Sequence, residues 1–412
     1  MDSTTDRSAM YTSVRESASP LAVNSGGRLT SLDAFRGAIM LLMASSGLGI
    51  PQMAKNFPES PIWKFLAQQC KHAEWAGCTL WDLIQPSFMF MVGVALPWSL
   101  ANRRARGQGF PAMFGHALWR ALILILLAVF LTSAWSKQTD WVFPNVLAQI
   151  GLGYPFLFLL AFTKPWTQWL AAAAILFACW LAFVLHPLPP ADFDWKTVGV
   201  PNAWPHLTGL AAHWDKNTNV FAAFDTWFLN LFPRETPFTS NTGGYQTLNF
   251  IPSLATMIFG LLAGQLLRGE RLLADKLKYL FIGGLAAIVV GKGIEMAGLC
   301  PIVKRIWSPT WALYSGGWVA LLLAAFVALI DGCGWKRWSL PLVVAGLNPI
   351  ALYCLWQLSG GFVRDSIKIH LGQHVFESLG TPSAPMLERS AVLLAFWLVL
   401  FWMYRRKIFL RI

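Results

Sequence analysis

A histidine and an aspartate ten residues apart, His72 and Asp82, open the stretch QCKHAEWAGCTLWDLIQPSFMFMVGVALPWSL (69–100). An imidazole held by a carboxylate can move protons: the carboxylate fixes the ring's tautomer and stabilises its cation, and the other nitrogen acts as general base towards an amine or hydroxyl. The spacing fits an interfacial histidine held by loop backbone equally well. A helix starting near Thr79 would align Asp82, Gln85, Pro86, Met89 and Gly93 in steps of three and four, giving one polar stripe. Pro86 has no N–H for the carbonyl of Asp82, so a kink is expected there. A charged Asp at the centre of a spanning helix costs about 2.5 to 3.5 kcal/mol, less near the interface. A partner for Asp82 is therefore expected, and His72 can supply it.

A second group lies in RLTSLDAFRG (28–37). Thr30 or Ser31 can cap a helix, with Asp33 favouring its positive end and pairing with Arg36 one turn on. Alternatively Arg36, with Arg28 and Arg120, offers guanidinium forks to a phosphate-bearing ligand. Polar stripes recur at Asn145, Gln149 and Gly153, at Asn249, Ser253, Thr256 and Gly260, and at Asn348 before Pro349. Each fits interhelical hydrogen bonding, and Gly260 with Gly264 fits close packing; together they fit a shared internal tunnel. Lys292 and Glu295 stand three apart and can neutralise each other. Cys70 and Cys78 are close enough in sequence for a bridge across the His72 loop. There is no zinc-type spacing, no Gly-rich phosphate loop and no GxSxG, and no metal is expected.

These residues sit in a chain of 412 residues, 56% hydrophobic and only 13% charged. That balance excludes a soluble enzyme and a disordered chain. Apolar runs of about 17 to 25 residues start near residues 30, 79, 113, 142, 168, 247, 279, 310, 339 and 388. The expected fold is all-α: a polytopic membrane helix bundle of about ten transmembrane helices. The net charge of +12 would suggest nucleic acid in a soluble protein. Here the basic residues cluster in alternate gaps, as RRAR (103–106) does, so the positive-inside rule puts both termini in the cytoplasm and no nucleic acid is expected. Residues 1–28 read as a disordered cytoplasmic tail and 29–412 as the transmembrane domain. Polar chemistry then collects on the exterior in segments 51–78, 186–246 and 359–387. The segment 186–246, with His186, His206, His213 and several Trp, is too long and aromatic for a connector and reads as an exterior cap.

The segments SLDAFRG (31–37), HAEWAGCTLWDLIQPSFMFMVG (72–93), NVLAQIGLGY (145–154), IPSLATMIFGLLAG (251–264), PIVKRIWSPTWALYSGGW (301–318) and VVAGLNPIALY (343–353) resemble, in order, the heparan-α-glucosaminide N-acetyltransferase family. The HxxWxG block followed by DLxxPxFxFxxG is specific, whereas LDxxRG is shared with other membrane acyltransferases. The resemblance implies a bacterial-type enzyme of the inner membrane that draws acetyl-CoA, its donor substrate, from the cytoplasm and acetylates an amino sugar or related glycan on the far side. It places the family's catalytic histidine on His72. A family Asn near the outer end of the first span falls on Gly47, within MASSGLGIPQ, so its role must pass to another donor or be absent.

The combined expectation is an acyltransferase with His72 and Asp82 catalytic, Arg28, Arg36, Arg120 and Gln149 meeting acetyl-CoA, and Trp75, Gln85, Asn249 and His213 meeting the acceptor. Direct transfer and an acetyl-His intermediate both remain open, as does a homodimer. The rival is a transporter or flippase of a polar or lipid-linked solute, which the absence of convincing inverted repeats disfavours.

Overall fold

The computed structural model describes residues 29–410. The expected Arg28 and the tail 1–28 lie outside the described residues. The helices are α1 (Thr30–Ala44), α2 (Ile50–Asn56), α3 (Pro61–Gln69), α4 (Ile84–Ala105), α5 (Phe110–Ser133), α6 (Val146–Leu160), α7 (Pro165–Leu185), α8 (Val220–Phe228), α9 (Phe250–Arg268), α10 (Leu273–Met296), α11 (Pro309–Phe326), α12 (Leu340–Leu347), α13 (Pro349–Leu371) and α14 (Ala384–Arg405). The one strand-like pairing among the described residues is the isolated bridge between Ala76 and Val303.

Among the described residues, seven helices are long and apolar enough to cross a membrane, and two further pairs qualify if each bent pair is one span. The chain is a helical membrane bundle, but the expected count of about ten is not reproduced. The run expected from residue 142 becomes α6, only 15 residues long, because Asn145 caps it late, its Oδ1 accepting from Ala148 N at 3.0 Å. The first span bends by 48° after α1 and the ninth by 71° between α12 and α13. At the first bend Ser46, Gly47, Leu48 and Gly49 all have positive φ. Gly47 has φ 71°, a left-handed backbone that glycine enters freely.

Two local expectations change. Neither Thr30 nor Ser31 caps α1; the carboxylate of Asp331 does, accepting from Ser31 N at 3.1 Å. Pro86 produces no break beside Asp82, because Trp81–Leu83 form a separate 3-10 turn and Pro86 falls in the first turn of α4, where its missing N–H is unneeded.

α4 and α9 are the most buried spanning helices, and α10 and α14 the least. The outer helices turn Trp119, Phe130, Phe177 and Trp402 outward, as lipid-facing surfaces require. α4 and α9 lie backbone to backbone: a Cβ on Gly260 would stand 1.9 Å from Phe90 O, and one on Gly93 2.0 Å from Met257 O. Only glycine permits that approach. It fixes the registry of two helices whose N-termini, with that of α11, carry the candidate site.

Candidate functional site

Three chain segments meet at this end of the bundle: the loop before α4, the turn before α9 and the loop between α10 and α11. Gly77 N donates to Ile302 O at 2.8 Å beside the Ala76–Val303 bridge, stitching the first segment to the third. The third is held by Ser308, whose Oγ donates to Pro301 O at 2.7 Å and accepts from Val303 N at 3.0 Å. Its flanks Val303, Ile306 and Trp307 are buried.

His72 Nδ1 lies 2.8 Å from Asp82 Oδ1. The other oxygen of Asp82 accepts from Ala73 N at 3.0 Å, Thr79 N at 3.1 Å and Thr79 Oγ1 at 3.0 Å. A carboxylate that is 1% exposed thus gains the partners its burial demands. The sequence reading missed the third member of the site. Lys304 Nζ stands 3.3 Å from Asp82 Oδ1 and 3.0 Å from His72 Nδ1. An ionised Asp82 only accepts, so His72 Nδ1 carries the proton in this contact and the Lys304 ammonium donates to Oδ1. His72 is exposed, and Nε2 makes no hydrogen bond among the described residues. It therefore presents a lone pair, as a general base must.

Lys304 is 5% exposed. Burial pushes its ammonium down to about 8, against the attraction of Asp82, and neighbouring Arg305 adds to the depression. The sequence did carry a signal for it: Lys304 and Arg305 are adjacent basic residues in a gap between apolar runs that the positive-inside rule expects to be poor in them.

The cysteines of the site are poor nucleophiles. Cys70 and Cys78 are free and unbridged. Burial, reinforced by Asp82, pushes the Cys78 thiol up to about 12, and burial pushes Cys300 up to about 11, leaving little thiolate.

The residues expected to meet an acceptor are only partly gathered here. Trp75 is buried, its Nε1 donating to Trp214 O at 3.0 Å, in a small core shared by Phe183, Phe221, Cys300 and Val303. Asn249 Nδ2 donates to Arg305 O at 2.7 Å, next to Lys304, while its Oδ1 is buried without a partner. Gln85 Nε2 donates instead to Gln149 Oε1 at 2.9 Å, so two residues expected to serve different ligands satisfy each other. His213 is set back in segment 186–246, its Nδ1 3.0 Å from His186 O.

The residues expected to meet a donor stand on separate helices. Arg36 on α1 lies 3.6 Å from Asp33. Arg120 on α5 lies over the ring of Tyr154 at 4.7 Å and has a buried Nε without a hydrogen-bond partner. Gln149 is fully buried and also approaches Pro144 O at 3.4 Å. Lys292 and Glu295 pair as expected, and Glu295 also accepts from Ile302 N at 3.1 Å. A cavity of about 380 Å³ between Trp135–Asp140 and Pro233–Thr236 holds none of these residues.

No family model matches the chain. It is 24% identical to heparan-alpha-glucosaminide N-acetyltransferase of Mus musculus, over 94% of this chain and 61% of that protein. It is likewise 24% identical to heparan-alpha-glucosaminide N-acetyltransferase of Homo sapiens, over 93% of this chain and 60% of that one. The chain spans about three fifths of the length of these curated relatives. At that identity, spread over nearly the whole of this chain, it is a distant relative of these N-acetyltransferases.

Proposed function

We propose that the chain is a membrane-embedded acyltransferase that moves an acetyl group from acetyl-CoA, taken from the cytoplasm, to the amine of an amino sugar or related glycan on the exterior face. The observation that carries this reading is the His72, Asp82 and Lys304 cluster, with His72 Nε2 making no hydrogen bond among the described residues. The acceptor nitrogen attacks the thioester carbonyl and Nε2 takes its proton. The C–S bond then breaks and the departing thiolate is protonated, so charge and atoms balance. Asp82 holds the ring in the Nδ1–H tautomer and stabilises the imidazolium, as carboxylate partners do in other base-assisted transfers. The specific HxxWxG block and the N-acetyltransferase relatives favour this over solute transport. On the donor side, Arg28, Arg36 and Arg120 would meet the CoA phosphates, and the unpartnered Nε of Arg120 is consistent with that role.

His72→Ala tests it. Loss of the base should lower acetyl transfer to glucosamine by about 10² to 10⁴ while the variant folds and binds CoA as wild type does. Transfer at the wild-type rate would remove His72 from the chemistry.

A further inference from the structure

Two cations beside the site have no carboxylate ion-pair partner among the described residues. Lys216 is 7% exposed. Its ammonium lies over the ring of Trp204 at 4.6 Å and makes neither an ion pair nor a side-chain hydrogen bond among the described residues. Arg305 follows Lys304 in the chain. Its Nη1 donates to Gly243 O at 2.6 Å and its guanidinium lies over Tyr245 at 5.5 Å, yet its Nε is buried without a partner. The two bracket one turn: a Cβ on Gly244 would lie 3.4 Å from Lys216 Cγ and 2.6 Å from Trp75. Trp75 is three residues from His72 and meets Trp204 edge-on at 5.9 Å. The buried Trp204 Nε1 and Asn249 Oδ1 are also unpartnered.

Holding a buried ammonium close to a half-buried guanidinium whose Nε is enclosed is costly unless something negative answers them. Burial and then Arg305 push the Lys216 ammonium below its usual range, and Glu74 opposes them only in part. Arg305 offers a planar fork and Lys216 a compact ammonium on an aromatic face, the donor set that suits sulfate, phosphate or carboxylate.

We propose that Lys216 and Arg305 form an anion subsite beside His72 that receives a sulfate or carboxylate carried by the amino-sugar acceptor. The proposal rests on the acyltransferase reading for its substrate, but the subsite is tested by binding alone. The anionic group docks on Lys216 and Arg305, and the amine is thereby turned towards His72.

The test is calorimetric titration of the full chain, in zwitterionic lipid nanodiscs, with glucosamine and with glucosamine 6-sulfate. The sulfated sugar should bind at least about tenfold more tightly, the step of a single charge-assisted hydrogen bond. Lys216→Gln and Arg305→Gln should each remove most of that preference, and Lys216→Arg should keep it. Thermal melting identifies any variant that is merely unfolded, and the wild-type comparison of the two sugars stands without variants. Equal affinity for both sugars, or binding of neither, overturns the subsite while leaving acetyl transfer to be judged by its own assay. Preference that disappears when phosphatidylglycerol is added assigns the cations to lipid headgroups and overturns it too.

Discussion

Lys304 offers a test that needs no substrate. Burial holds its ammonium at about 8 in the fold against an ordinary 10.5. Between those values the unfolded chain keeps a proton that the folded chain has released. The unfolding free energy must therefore rise with pH across the window, by about 1.4 kcal/mol per unit and on the order of 3 kcal/mol in all. Lys304→Met removes the titrating group and serves as the reference, since the other alkaline groups remain in both proteins. Asp82→Asn removes the attraction that opposes burial, so its rise should begin below pH 8. The assay is equilibrium unfolding in mild detergent at a series of pH values, followed by tryptophan fluorescence. Curves for wild type and Lys304→Met that run parallel from pH 8 to 10.5 would show that the buried ammonium described here is not present in solution.

Turnover should fall as pH rises through about 8, because a neutral Lys304 amine competes with Asp82 for the His72 Nδ1 proton. Lys304→Arg keeps the charge at every accessible pH and should lose that alkaline limb; an unchanged limb in steady-state rates would remove Lys304 from the mechanism. Arg36→Lys should weaken CoA binding in calorimetry if the fork meets a phosphate, despite the retained charge, whereas unchanged affinity would leave Arg36 a structural residue beside Asp33. Single cysteines at Arg104 and Arg405 should react with an impermeant maleimide only from the cytoplasmic side, and one at Trp204 only from outside; labelling of Trp204 from inside would reverse the direction of transfer.

Spanning segments were legible because about 20 apolar residues in a row have few fates other than a bilayer or a core. Their breaks were less so. The bend at Ser45–Gly49 depends on four consecutive left-handed residues, of which only the glycines are conspicuous in sequence. Pro86 suggested a kink, but the helix starts just two residues before it, and helix starts are the least readable part of a pattern. His72 and Asp82 stood out because a polar pair ten residues apart interrupts apolar sequence. Lys304 was visible only as a basic residue in an unexpected gap, since its partners lie far away in the chain and nothing in the letters brings residue 304 to residue 72. The pairing of Gln85 with Gln149 was hidden for the same reason: two polar side chains that look available singly satisfy each other across helices.

The stitch between the His72 loop and the Lys304 loop also has a consequence for biosynthesis. The partners are 232 residues apart, and a ribosome adds about 5 to 20 residues per second. Once α4 has entered the bilayer, the Asp82 carboxylate therefore waits roughly 10 to 50 seconds before Lys304 has been made. During that interval the aspartate has His72, Ala73 and Thr79 as neighbours but no lysine, and the nascent helix can hold the group near the headgroups or in its protonated form. The cluster is complete only once the loop between α10 and α11 is in place, so a chain stalled before residue 304 would carry His72 and Asp82 without the ammonium that joins them.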